Sequence, residues 1–272
     1  MDLGLRGRRA LVTGASQGIG RAIAESFARE GCDLHLAARG AEALEREAEG
    51  IRARHGVRVD VHATDLARRG APAALAEACA DADIVVNNAG NTPRGDILSV
   101  DEQAWRDGWE LKIFGYIAMM RAVYGRMCER GSGVIVNVTG IGADKLEYAY
   151  AAGGSGNAAI ATLTRSVGSV SMEFGVRVMG VSPGWVETEK AKRSLRRRAA
   201  TELGDESRWP ELVRDWPRGR LIQPSEIADV VVFVASDRAS AMSGQIVTVD
   251  AGMVSRGYPP PTPLVAGKAR AR

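Results

Sequence analysis

The sequence predicts an α/β fold built on one doubly wound parallel sheet. Short apolar runs alternate with longer amphipathic ones as far as residue 190. A glycine-rich turn stands between the first strand and the first helix. No linker rich in Pro, Gly or Ser interrupts the chain before Arg256, so 1–255 reads as one domain. Composition agrees: 45% hydrophobic and 25% charged residues are globular usage over 272 residues.

The strands are short and apolar: Arg9–Val12, Asp33–Ala37, Val57–His62, Ile84–Val86, Val134–Val138, Arg177–Val181 and Ile246–Val249. Helical spacing fills the gaps at Arg21–Arg29, Ala41–Arg54, Ala71–Ala80, Trp105–Arg130, Ala151–Phe174 and Ile227–Ala235. In the second of these, Leu44, Ala48 and Ile51 share one face at steps of three and four. Strands alternating with helices imply βαβ units, and right-handed crossovers wind them into a single Rossmann-type sheet.

Two segments break the rhythm. Glu187–Arg220 is long and charged and carries Trp209 and Trp216. Residues 256–272 hold Pro259, Pro260, Pro261 and Pro263 and end in Lys268, Arg270 and Arg272, a composition for an extended basic tail.

Several function classes are disfavoured. Apolar runs such as Val230–Ala235 are far shorter than the ~20 residues a bilayer needs. The amino terminus shows no secretory signal. Cys32, Cys79 and Cys128 form no CxxC pair and suggest reduced thiols, hence a cytoplasmic protein. His35, His55 and His62 form no metal-ligand spacing, so no metal is expected. A net charge of +3 with 5% aromatics gives no ground for nucleic-acid binding.

The turn Thr13-Gly14-Ala15-Ser16-Gln17-Gly18-Ile19-Gly20 follows a strand and opens a helix. Gly14 permits the turn, and Gly18 and Gly20 let backbone approach a pyrophosphate. The helix N-terminus then supplies N–H donors and positive partial charge. The spacing Gly14-x3-Gly18-x-Gly20 resembles the short-chain dehydrogenase/reductase family, and other motifs fit from about Leu5 to Val254. Asp65-Leu66 resembles the adenine-contacting pair, and Asn88-Ala89-Gly90, after Asn87, the motif lining the cofactor. Pro183-Gly184, with Thr188, resembles the loop that holds the nicotinamide carboxamide. Asp250-Ala251-Gly252 resembles the ending of the last strand.

The resemblance implies a nicotinamide cofactor. Ala38 stands where an NAD site places an acid, and Arg39 follows it. A guanidinium there suits a 2′-phosphate, so NADP(H) is favoured over NAD(H). The plainer reading of Arg39 is a solvated surface charge.

The family's Asn, Ser, Tyr and Lys tetrad is absent. Lys112 stands at the asparagine position, Gly140 at the serine, Gly153 at the tyrosine and Asn157 at the lysine. Lys112 and Asn157 look like a reciprocal exchange that keeps one ammonium and one amide in the same pocket. Thr139 precedes the serine position, and Tyr150 lies one turn before Gly153. Helical geometry aims the Tyr150 ring away from Gly153, and Tyr148 is a second tyrosine in reach. Lys112 itself can serve as acid or base if desolvated.

The resulting expectation is an NADP(H)-binding oxidoreductase with a rearranged site. A lyase, dehydratase or isomerase in the same pocket, or a non-catalytic nucleotide-binding homologue, are the alternatives. Segment 187–220 is expected as a substrate lid. Lys190, Lys192, Arg193, Arg196, Arg197 and Arg198 read first as a solvated helix face and second as recognition of an acidic small molecule. The resemblance also implies a homo-oligomer, tetramer or dimer, through the two long helices, with Gly154, Gly156 and Ala159 permitting close approach.

Overall fold

The structure is a computed structural model that describes residues 1–256. The expected tail, 256–272, lies outside the described residues apart from Arg256. Seven strands form one parallel sheet in the order β3-β2-β1-β4-β5-β6-β7. They are β1 (Arg9–Thr13), β2 (Asp33–Ala38), β3 (Val59–Ala63), β4 (Ile84–Asn87), β5 (Gly133–Val138), β6 (Val176–Pro183) and β7 (Ile246–Val249). A parallel sheet is covered on both faces, which is why its central strands are nearly uninterrupted apolar runs. All eight residues of β6 are buried.

Side-chain alternation assigns each strand residue to a face. Val12, Leu34, Leu36, Val86 and Val136 pack on one side with α1 (Gly18–Arg29), α2 (Ala41–His55) and α9 (Pro224–Ala235). Leu11, Val85, Ile135 and Val178 pack on the other with α3 (Ala71–Ala78) and α5 (Gly115–Arg130). Phe27 of α1 is fully buried in the first layer; truncating such a side chain costs about 3–5 kcal/mol. Arg177, buried at the start of β6, donates to the carbonyls of Val234, Ala235, Ser236 and Ala239. One guanidinium thus satisfies the otherwise orphaned carboxyl end of α9.

One sequence expectation changes. The single helix expected over Trp105–Arg130 is two helices, α4 (Glu102–Trp109) and α5, joined by a π-helical turn over Glu110–Phe114. The wider turn shifts the helical register, so Lys112 and Ile113 are buried while Phe114 is 53% exposed. The segment after Thr188 is helical: α7 (Glu189–Leu203) and α8 (Trp209–Val213) close over a small core of Leu195, Val213 and Leu221, with Trp185, Trp209 and Trp216 packed on it. The second long helix is α6 (Ala151–Ser171). A Cβ on Gly156 would meet the Ile113 side chain at 3.0 Å, and one on Gly154 the Gly142 carbonyl at 3.0 Å. These two small residues admit close packing within their own chain.

Candidate active site

The order of strands reverses between β1 and β4, and the loops at their carboxyl ends meet there. Gly14 has φ +69°, and a Cβ on it would lie 2.9 Å from Asn88 Nδ2 and 3.1 Å from Ala89 Cα. A Cβ on Gly20 would lie 2.2 Å from the Gly14 carbonyl oxygen. Both positions therefore require glycine. Thr13 ties the turn to the next loop: its hydroxyl donates to Val86 O and accepts from the Asn88 and Ala89 amides, while Asn88 Nδ2 donates to Thr13 O. Gly90 then runs beside the Lys112 side chain, whose Cδ is 2.8 Å from where a Cβ would be.

The start of α1 carries no side-chain cap at Gln17 and no acid in its first turn. By contrast, the Thr188 hydroxyl caps α7. The uncapped donors of α1, with Ser16, Gln17, Gly18 and Ile19 around them, fit an anion such as a pyrophosphate. Arg39 follows β2, is exposed, and among the described residues has no hydrogen-bond or ion-pair partner, so it is free to meet a phosphate. Asp65 accepts from the Ala67 amide and Leu66 is buried beside it. On the opposite wall Pro183 ends β6, and Gly184 N donates to Val249 O. Thr188 Cγ2 comes within 3.2 Å of a Cβ built on Gly18. The two loops that the sequence assigns to one dinucleotide thus face each other, and the residues present fit that group.

The four expected catalytic positions lie at the carboxyl end of β5. Lys112 Nζ donates to Val138 O at 2.7 Å and to the Tyr116 hydroxyl at 3.2 Å. The Tyr116 hydroxyl donates to the same carbonyl at 3.1 Å. Burial, and then the charge of Lys190, push the Lys112 pKa down to about 7. Burial pushes the Tyr116 phenol upward, so it stays neutral. Asn157 is 4% exposed and its amide has no partner among the described residues. No hydrogen bond joins it to Lys112; the two flank Val138 and Gly140 from different helices. Thr139 donates to Val181 O at 3.2 Å, a bond between β5 and β6.

The absent side chains at Gly140 and Gly153 leave volume that neighbours occupy. A Cβ on Gly140 would lie 2.9 Å from Asn157 Nδ2. A Cβ on Gly153 would lie 1.9 Å from Cζ and 2.4 Å from the hydroxyl of Tyr150. The Tyr150 ring therefore lies over Gly153, against the expectation that it leans away. Tyr150 precedes α6 with φ −143° and ψ 34°, so its Cβ does not follow the direction of a helical residue. Its hydroxyl shares a hydrogen bond with Thr92 Oγ1 at 3.0 Å, and Arg94 stacks between its ring and Trp185 at 4.6 and 4.9 Å. Tyr148 is 74% exposed at the cleft wall.

Above this site opens a cleft of about 1180 Å³ between the 91–95 loop, the 145–149 loop and α7. Seven of the side chains lining it are Lys or Arg and two are Glu. Arg94 pairs with Glu147 and Arg198 with Glu202. Lys145 and Arg256 donate to backbone carbonyls. Lys190, Arg193 and Arg197 have no partner among the described residues. Their spacing i, i+3, i+7 puts them on one face of α7, and with Arg198 four of the six basic residues of the run line the cleft. The sequence contained that spacing; Lys192, in the same run, instead pairs with Glu187 and Glu189. Partial desolvation in the cleft, then Arg94 and Arg193, lower the Lys190 pKa. Thr92 and Tyr116 carry no sequence motif and were visible only in the fold.

Comparison with known proteins matches this arrangement. A family model described as Enoyl-(Acyl carrier protein) reductase matches residues 14–254. The chain is 36% identical to galactitol 2-dehydrogenase (L-tagatose-forming) of Cereibacter sphaeroides over 91% of its own length and 95% of that protein. It is 32% identical to gluconate 5-dehydrogenase of Gluconobacter oxydans over 92% and 95%. Among solved structures it is similar to L-sorbose reductase of Gluconobacter frateurii complexed with NADPH and L-sorbose. That similarity has a TM-score of 0.88 at 30% identity and covers 94% of this chain and 100% of the other. With its glycine turn, parallel sheet and facing loops accounted for, the chain belongs to the short-chain dehydrogenase/reductase family.

Proposed function

We propose that this protein is an NADP(H)-dependent oxidoreductase that interconverts a hydroxyl and a carbonyl on a small polar molecule bearing an anionic group. One observation carries the catalytic part: the volume vacated by the serine and tyrosine positions is filled by the Asn157 amide and the Tyr150 ring beside a buried, near-neutral Lys112. The activities of the relatives, and the NADPH complex of the sorbose reductase, support the reaction class.

Bound NADPH would supply the hydride. Gly14, Ser16, Gln17, Gly18, Ile19 and Gly20 would hold its pyrophosphate, Arg39 its 2′-phosphate, and Asp65 and Leu66 the adenine. Asn88, Ala89, Gly90, Pro183, Gly184 and Thr188 would border the nicotinamide half. Asn157 Nδ2 donates to the substrate oxygen, the task of a serine hydroxyl in the resemblance. Lys112, as an ammonium, gives a proton to that oxygen in reduction; as an amine it takes the proton in oxidation. A group with a pKa near 7 is suited to both directions. The Val138 carbonyl and Tyr116 hydroxyl fix the Lys112 ammonium and leave one N–H for this transfer. Tyr150 with Thr92 walls the pocket, and Thr139 keeps the end of β5 on β6.

The lid 187–220 brings Lys190, Arg193 and Arg197 over the substrate, which favours a carboxylate or phosphate. The protein acts as a homo-oligomer, tetramer or dimer. In support, Trp105, Trp109, Ile97 and the exposed Phe114 line an apolar groove beside α4 that a second copy would cover. Sedimentation at micromolar concentration checks that state; a monomer overturns it.

The test of the reaction is NADP⁺ reduction with gluconate and with galactitol, an anionic and a neutral probe. Gluconate should be favoured, and Arg193→Ala with Arg197→Ala should remove the preference without lowering the galactitol rate. NADPH binding without single-turnover hydride transfer to any hydroxy or keto probe would instead assign the pocket to lyase, dehydratase or isomerase chemistry. Failure of NADPH to bind would leave a non-catalytic homologue.

A further inference from the structure

Far from the cleft, three side chains converge that the mechanism does not use. His35 on β2, His62 on β3 and Cys79 at the end of α3 lie on the sheet face that α3 covers. The register places them there: His35 pairs with Asp60 and Ala37 with His62. Their spacing along the chain carries no metal-ligand pattern, yet His35 Nδ1, His62 Nε2 and Cys79 Sγ all lie within 4.8 Å of one another. We propose that these three residues bind a divalent transition metal of the zinc class, which clamps the edge strand β3 to α3.

Hydrogen bonding links the two imidazoles to Asp81 and leaves the Cys79 thiol with only a weak contact. His62 Nε2 is 2.9 Å from His35 Nδ1 and 3.4 Å from Cys79 Sγ. If Nε2 is protonated it can donate to only one of them. His35 Nε2 is meanwhile 2.9 Å from Asp81 Oδ1, which favours the proton on Nε2 and leaves a lone pair on Nδ1. A cation at the centre would accept a lone pair from each of the three.

The surroundings fit a metal in three further ways. Two imidazoles and a thiolate form a donor set that suits zinc over calcium or magnesium. Tetrahedral zinc with bonds of about 2.0–2.3 Å needs ligand atoms roughly 3.3–3.6 Å apart, which shifts of an ångström or less would produce here. The Asp81–His35 contact is the carboxylate–histidine arrangement that orients a metal-binding imidazole through its other nitrogen. Asp60 Oδ2, half exposed and paired with Arg9, lies 3.9 Å from His35 Nδ1. Charge also balances. Asp60 and Asp81 outweigh the Arg9 that bridges them by one negative charge. A dication that displaces the Cys79 thiol proton brings the group to neutrality.

The experiment is a Co²⁺ titration of untagged, chelator-stripped protein, followed by displacement with Zn²⁺. One equivalent per chain should bind with a thiolate-to-cobalt absorption band, and Zn²⁺ should abolish the band and raise the melting temperature. Cys79→Val, close in volume and without a thiolate, should lose the band and most of the affinity. Asp81→Asn should keep the band and weaken binding by about 10–100-fold. His62→Gln reads the same loss should the Cys79 variant not fold. Substoichiometric binding by the parent, or an unchanged band in Cys79→Val or His62→Gln, overturns the proposal and leaves a buried hydrogen-bonded cluster.

Discussion

The amino-terminal and carboxyl-terminal halves of the candidate site are built by different means. Around β1 and β4, the groups that would meet a ligand are backbone: the uncapped amides of α1 and the glycine turn locked by Thr13 and Asn88. Around β5 and α6 they are side chains, and not those the family resemblance implies there. Tyr150 reaches over Gly153 from outside the helix, and Asn157 fills the space beside Gly140. A backbone site has few solutions, because a Cβ at Gly20 collides with the main chain whatever the side chain. A side-chain site has many, because a volume vacated at one position can be entered from another. On the function proposed above, that difference lets one half keep its motif while the other rearranges.

The comparison breaks most readily at Lys112. Lys112→Met should lower kcat by about 10²–10⁴-fold, the range for loss of a general acid–base group. It should not lower stability, since it removes a charge from a buried place. The pH dependence gives the sign. The Lys112 pKa falls on folding from 10.5 to about 7, so between those values the unfolded chain holds the proton and the folded chain does not. Stability from this group therefore rises with pH from about 7 to 10.5 and is flat below. Urea unfolding at several pH values should show that rise in the parent and its absence in Lys112→Met.

In the backbone half, Gly20→Ala should cost about 3 kcal/mol, the upper range for overpacking, because the contact is 2.2 Å from a carbonyl oxygen that cannot move alone. NADPH affinity, read by fluorescence titration, should fall with it. Gly153→Ala should cost about 1–3 kcal/mol by the same mechanism. Here, however, the clash is with a side chain, so Tyr150→Ala in the same protein should recover most of it. Additive losses in that cycle would return Tyr150 to a position away from Gly153. The smallest effect belongs to Arg39→Ala, an exposed guanidinium. It should reduce the preference for NADPH over NADH by about tenfold, as one solvent-screened charge-assisted contact. Equal affinities in the parent would remove Arg39 from the site.

By itself the sequence determined the parallel sheet, because β1 through β6 are apolar runs bounded by local turn and helix signals. It made the turn of the candidate cofactor half legible as well: Gly14, Gly18, Gly20, Asn88 and Thr188 sit at fixed offsets from strand ends, and turn geometry is local in the chain. Tertiary structure alone decided the rest. The π-helical turn that buries Lys112 depends on packing against Val138, 26 residues away. The course of the Tyr150 ring depends on a non-helical φ and ψ just before α6 and on Thr92, 58 residues away. His35, His62 and Cys79 meet because β2 and β3 pair in one register and α3 crosses that face. The physical reason is common to all three. Periodicity and turn chemistry are properties of neighbours in the chain, whereas the partner that fills a gap, desolvates a lysine or completes a donor set is chosen by packing between distant segments.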